Sequence, residues 1–277
     1  FRLAKAPYLD HERVWLSAGL ARRDAPKLDF TYERLSRNGR LATQQWGGVP
    51  VGEFETRAVY PATKSVDETI HRLSLRAEHE IGDTLLEDAL TIEIGESATE
   101  RAHTEFFNLP ATGAKPDYLT RIGEESEFNR GANSLRLTRQ LKDWWHVSLG
   151  HHFTRFAGDA GLEVVSMSPN NPGEAPWMSD RSNAIRTRQR SHFLNATTLM
   201  GPWRNLTLSG GVQGESTRRE GIATGLSLGA SPARFASGQD RTGVEGNMQL
   251  SYTGLKNTVL TLGARLRGES IDLREDG

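Results

Sequence analysis

The chain has 277 residues, of which 36% are hydrophobic and 25% charged, with 28 glycines and a formal net charge of -1. That near-neutral balance gives no bulk electrostatic pull toward nucleic acid or toward anionic lipid. The absence of cysteine excludes disulfides, thiolate metal sites and covalent haem attachment by this chain. No stretch reaches the roughly 18 consecutive apolar residues a membrane-spanning helix needs. The N-terminal "FRLAKAPYLDHERVW" has neither an initiator Met nor a secretory signal pattern, so the sequence is expected to be processed or a fragment.

The elements follow one plan from the first hairpin onward. "RVWLSAGLAR" (13–22) and "LDFTYERLSR" (28–37) flank "DAP". In the second hairpin Leu73, Leu75, Ala77 and Ile81 share one parity and Arg72, Ser74, Arg76, Glu78 and Glu80 the other, the period-two pattern of a strand. Past Gly82-Asp83, Leu86, Leu90, Ile92 and Ile94 oppose Glu87, Thr91 and Glu93, with Asp88 the exception. "NSLRLTRQL" and "WWHVSLGHHFTRF" flank Lys142-Asp143, "RSHFLNATTLM" and "NLTLSGGVQGES" flank "GPWR", and "GNMQLSYT" and "NTVLTLGARLRGE" flank "GLK". Five hairpins make ten strands. Between them lie long connections near residues 38–68, 96–132, 157–185 and 217–241, rich in proline and polar turn residues.

Strict alternation of short and long connections is the layout of an outer-membrane barrel, with short periplasmic turns and long external loops, rather than of a soluble sandwich. The expected fold is all-β: an antiparallel transmembrane β-barrel in which residues 1–277 form a single domain or a fragment of one. With short turns in the periplasm both chain ends fall outside, and the final "REDG" lacks a terminal aromatic, so the ten strands are expected to be part of a larger barrel. Apolar side chains then face lipid and charged ones the lumen. Arg72, Arg76, Glu78, Glu80, Arg136 and Arg188 are the lumen candidates. Trp144, Trp145, Trp203 and Tyr252 cluster near short turns, as a membrane-interface girdle requires, and Trp15, Phe153, Phe156 and Phe107 are candidates for the opposite girdle.

Catalytic and cofactor signals are weak. His151 and His152 are neighbours on a strand and point to opposite faces, while His71 and His79 are eight residues apart, about 26 Å on a strand. His146 and Ser148 share a face without an orienting acid, so no catalytic residue is assigned and the chain is expected not to be an enzyme. Nucleotide, zinc-protease and EF-hand motifs are absent, which leaves no cofactor or metal ligand set in this chain. The sequons at Asn195 and Asn205 fall on predicted strands. The run "RSNAIRTRQRSHF" places Arg186, Arg188 and Arg190 on one strand face, either as ordinary lumen wall or as an electropositive contact for an anionic solute or acidic partner.

"LDFTYERLSRNGRLATQQWG" (28–47), through Phe30, Tyr32, Glu33, Arg37 and Gly39, resembles the strand-into-loop element of the MtrB/PioB family of outer-membrane barrels. "HTEFFNLPATGAKPD", with Phe106, Phe107, Asn108 and Pro110, and the strand pair through residue 156 are similar too. The resemblance implies a porin-like sleeve around a multihaem c-type cytochrome that carries electrons across the bacterial outer membrane. Haem would then belong to the partner. The alternatives are a diffusion porin, the barrel of a TonB-dependent transporter, and a cell-surface β-protein outside the membrane.

Overall fold

The computed structural model describes residues 7–22, 25–51, 54–105, 118–167, 178–227 and 232–276. Among these residues ten strands form one sheet in sequential order, every neighbouring pair antiparallel. They are β1 (Tyr8–Leu20), β2 (Lys27–Val51), β3 (Phe54–Ile81), β4 (Thr84–Glu105), β5 (Tyr118–Lys142), β6 (Trp145–Met167), β7 (Met178–Trp203), β8 (Leu206–Ser227), β9 (Ala233–Leu255) and β10 (Thr258–Asp276). Each of the five sequence-read hairpins is present. Among the described residues β1 pairs with β2 alone and β10 with β9 alone, so the sheet has two edges.

Asparagine and glycine in the left-handed region close the tight turns. Gly82 has φ +59° between Ile81 and Thr84, and Arg204 and Asn205 at 49° and 70° form a two-residue turn whose twist matches the flanking strands. Asn257, at 56°, does the same between β9 and β10. The last two turns therefore fall on Arg204-Asn205, at the end of "GPWR", and at Asn257, just past "GLK".

The strands are longer than their sequence signal. β2 to β9 run 22 to 28 residues, roughly 75–95 Å at about 3.4 Å per residue, against the 9–11 residues that cross a bilayer. Much of what reads as loop is strand: 38–68 is the top of β2 and β3, paired as far as Val51 and Phe54, and 217–241 is mostly β8 and β9. The segments 96–132 and 157–185 likewise hold the ends of β4, β5, β6 and β7, with 106–117 and 168–177 outside the described residues. The physical reason is solvent. Beyond the bilayer both faces of a hairpin meet water, so the apolar-polar alternation that reveals a strand fades while the backbone pairing continues.

There is almost no apolar core among the described residues. Among the described residues the buried hydrophobics are Ala62 and Val66, whereas Leu149, Leu194, Val244, Leu262 and Leu266 are 54%, 61%, 61%, 72% and 80% exposed. In water such a surface would aggregate. Facing lipid, it is the stabilising side of the sheet.

Candidate functional site: the two faces of the wall

The pairing register assigns every strand residue to a face. Leu75 stands opposite Phe30 and Leu90, Leu149 opposite Leu137 and Ala196, and Val212 opposite Ala196 and Gly246. These rows make an outward apolar band starting at the short-turn end, interrupted on β4 and β5 by Asp88 and Asn133, whose side-chain amide donates to the Asp88 carboxylate at 2.7 Å. The alternate residues make the inward face, and that face is where the ion pairs of β1 to β5 lie.

One inward row crosses five strands with alternating sign. Glu33 pairs with Arg72 in register, Arg72 with Glu93, and Glu93 with Arg130. Arg72 donates from Nη1 to Glu33 at 3.1 Å and from Nε to Glu93 at 2.7 Å, and Arg130 approaches the other Glu93 oxygen at 3.8 Å. Arg13 closes the row by donating to Glu33 and lies 5.7 Å from the Trp15 ring. The carboxylates are sheltered and the guanidiniums open, with Glu33 at 8% and Glu93 at 14% side-chain exposure against 42% for Arg72 and 57% for Arg130. Charges in such an arrangement are held in position by one another.

Further tiers repeat the arrangement. Nearer the short turns Lys27 bonds Glu78 at 3.0 Å, and Glu87 takes Arg76 at 3.2 Å and Arg136 at 3.8 Å. On β8 to β10, Arg241 bridges Glu215 and Glu269 at 3.6 and 2.5 Å, and Arg265 meets Glu245 at 2.8 Å. Between these two charged zones the inward faces of β6 and β7 carry no Asp, Glu, Lys or Arg from residue 146 to 158 on β6 or from 187 to 199 on β7: His152, Phe156, Phe193, Asn195 and Ser191 line them instead. Phe156 stacks on Phe128 at 6.1 Å, and the Phe128 ring fills the space a side chain at Gly95 would need.

Arg72, Arg76, Glu78, Glu80 and Arg136 thus lie on the inward face. Arg188 does not. It stands opposite Ala157 and Glu220 on the parity of Leu194 and Ala196, the outward face. Strand β7 leaves the apolar band near His192, and above that level charge no longer signals the lumen. Trp15 and Phe156 are corrected the other way: both share the inward parity, so they cannot form an outward girdle, whereas Phe153 faces outward. Phe107 lies outside the described residues.

Trp144, Trp145, Trp203 and Tyr252 gather at the short-turn end. Trp144 stacks on Trp145 at 6.0 Å and meets Trp203 edge-on at 5.0 Å, and the Trp145 indole donates to Thr198 Oγ1 at 2.9 Å. Rings that keep one polar handle suit a water–hydrocarbon boundary. The histidines pair across strands in ways linear spacing hides: Tyr32 with His71 at 2.8 Å, His152 with Ser134 at 2.6 Å, and His151 with His192 at 3.3 Å. Among the described residues no three His, Asp or Glu side chains form a metal-binding group.

Strands of this length, an outward apolar band, a charged inward face and sequential antiparallel order define the wall of an outer-membrane β-barrel. No protein-family model and no curated protein matches the chain. Among solved structures it is similar to the ferric citrate transporter FecA, at 8% identity and a TM-score of 0.34, covering 98% of this chain and 54% of that one. The ferric-catecholate import receptor Fiu from E. coli K12 overlaps at 11% identity and TM-score 0.35 over 93% and 50%. The siderophore receptor PiuA from Acinetobacter baumannii does so at 10% and 0.29 over 90% and 49%. The chain therefore spans about half the length of these receptors. At such scores the overlaps carry no weight on activity, and the class follows from the chain's own strand lengths and faces.

Proposed function

We propose that the ten strands form part of the wall of an outer-membrane conduit whose lumen encloses a polar occupant. The observation that carries this is the inward row Arg13–Glu33–Arg72–Glu93–Arg130, in which sheltered carboxylates hold half-open guanidiniums in one cross-strand line. Three arginines against two glutamates leave the row a single positive charge, a weak field for selecting an ion by sign. The row offers instead a fixed pattern of donors and acceptors, which suits the surface of a folded partner. Unpaired backbone groups at the β1 and β10 edges cost several kcal/mol each in lipid, so the wall needs further strands to close it.

The finer reading, supported by the MtrB/PioB resemblance over residues 28–156, is a sheath around a multihaem c-type cytochrome. The competing reading is a diffusion porin or a transporter barrel, favoured by the uncharged inward stripe on β6 and β7, which fixes no charged pattern for a partner to match. Purification in detergent from its native membrane separates them. A sheath brings down haem absorbance in fixed ratio to the barrel. A colourless preparation that conducts ions in planar bilayers overturns the sheath and supports the pore. Release by alkaline wash without detergent would overturn both.

A further inference from the structure

Above the apolar band the outward face carries a second set of arginines that the lumen does not use. Register aligns Arg155 of β6 with Arg190 of β7, and Arg190 with Arg218 of β8. Arg188 stands two residues along β7 on the same face. Arg155, Arg188 and Arg190 are exposed, and among the described residues none has a carboxylate within ion-pair distance, while Arg218 is held by Glu220 at 2.7 Å and Asp240 at 3.9 Å. Like charges directly opposite one another destabilise a sheet. An anion between them reverses that sign.

Two further observations say which anion. Arg155 stands ten residues from Trp145 on β6 and Arg190 ten from Met200 on β7, and Trp145 and Met200 are paired near the short-turn end of the band. Ten residues span about 34 Å along a strand, or about 24–28 Å along the membrane normal at the usual barrel tilt, close to the ~25 Å height of an apolar band. The arginines therefore stand at the level of lipid phosphates. Beneath Arg190 and running from β7 away from Arg155, across β8 and β9 to β10, lies an apolar furrow lined by Leu194, Gly214, Val244 and Gly268, with His192 at its upper end. A Cβ placed on Gly214 or Gly268 would meet nothing within 4 Å, so the glycines leave the furrow open.

Resting on the membrane-wall reading, we propose that this face is a docking site for a phosphate-bearing lipid. The phosphate sits between Arg155, Arg188 and Arg190, where planar guanidiniums bind its oxygens in pairs, and one acyl chain lies in the furrow. Lysine at these positions would keep the charge and lose the paired geometry.

Native mass spectrometry of the full chain folded in detergent tests this, with phosphatidic acid, diacylglycerol of the same chains and inorganic phosphate as probes. Phosphatidic acid is expected to add to the protein, diacylglycerol to add at least ten-fold less, and millimolar phosphate to compete weakly. The R155Q/R188Q/R190Q variant should lose phosphatidic acid binding at least ten-fold. R219Q, next to Arg218 but inward, should bind as the parent does. If the triple variant fails to fold, R190Q alone should still weaken binding several-fold. Equal binding by parent and arginine variants, equal binding of diacylglycerol, or competition by free phosphate as strong as by the lipid overturns the proposal. A chain that needs no detergent and binds no lipid sinks the membrane reading itself, whereas unchanged binding in a detergent-requiring variant sinks only the lipid site.

Discussion

The inward face of β2–β5 and the outward face of β6–β8 both carry arginines in cross-strand rows, but their surroundings differ. Inside, Arg72 has a carboxylate on each side, Glu33 and Glu93, and the row sums to near neutrality. Outside, Arg155 and Arg190 face each other directly, and among the described residues neither has a carboxylate within ion-pair distance. The same residue type is structural in the first place and available in the second, and the difference comes from which residue the register brings opposite, which linear sequence does not display.

Mutations that move charge between the faces press hardest on this contrast. Val212 sits mid-band and faces outward, and Gln213 faces inward opposite Asn195 and Glu245. Val212→Arg is expected to cost about 2–4 kcal/mol, the usual penalty for arginine at the bilayer midplane. Gln213→Arg, one residue on, should cost under about 0.5 kcal/mol, because Glu245 is there to receive it. Equilibrium urea unfolding in lipid vesicles reads both, and equal penalties would erase the distinction between faces.

A smaller effect tests the inward row. Arg72→Met removes the bridge between Glu33 and Glu93 and leaves two sheltered carboxylates short of a donor, at a cost of about 2 kcal/mol. The double change Glu93→Gln, Arg72→Met should restore part of that loss. A double-mutant cycle with no coupling would show that the row is a coincidence of rotamers.

Much of the wall was legible in the sequence because the bilayer imposes alternation on it. Leu73, Leu75, Ile92 and Ile94 announce one face and Arg72 and Glu93 the other. Strand length was not legible, since Arg37, Asn38, Glu124 and Glu125 belong to strands whose two faces both meet water. Arg188 was misplaced for the same cause: charge marks the lumen only within the apolar band. The cross-strand partners of His151 and Arg155 depend on register across 35 or more residues, which no local pattern encodes.

The most direct test of the two-faced wall uses the absence of native cysteine. Single cysteines at Leu208, Ser209, Val212 and Gln213, in protein folded into lipid vesicles without detergent, are treated with a charged, water-borne maleimide. The wall predicts labelling at 209 and 213 and protection at 208 and 212. Labelling of all four at comparable rates would contradict it.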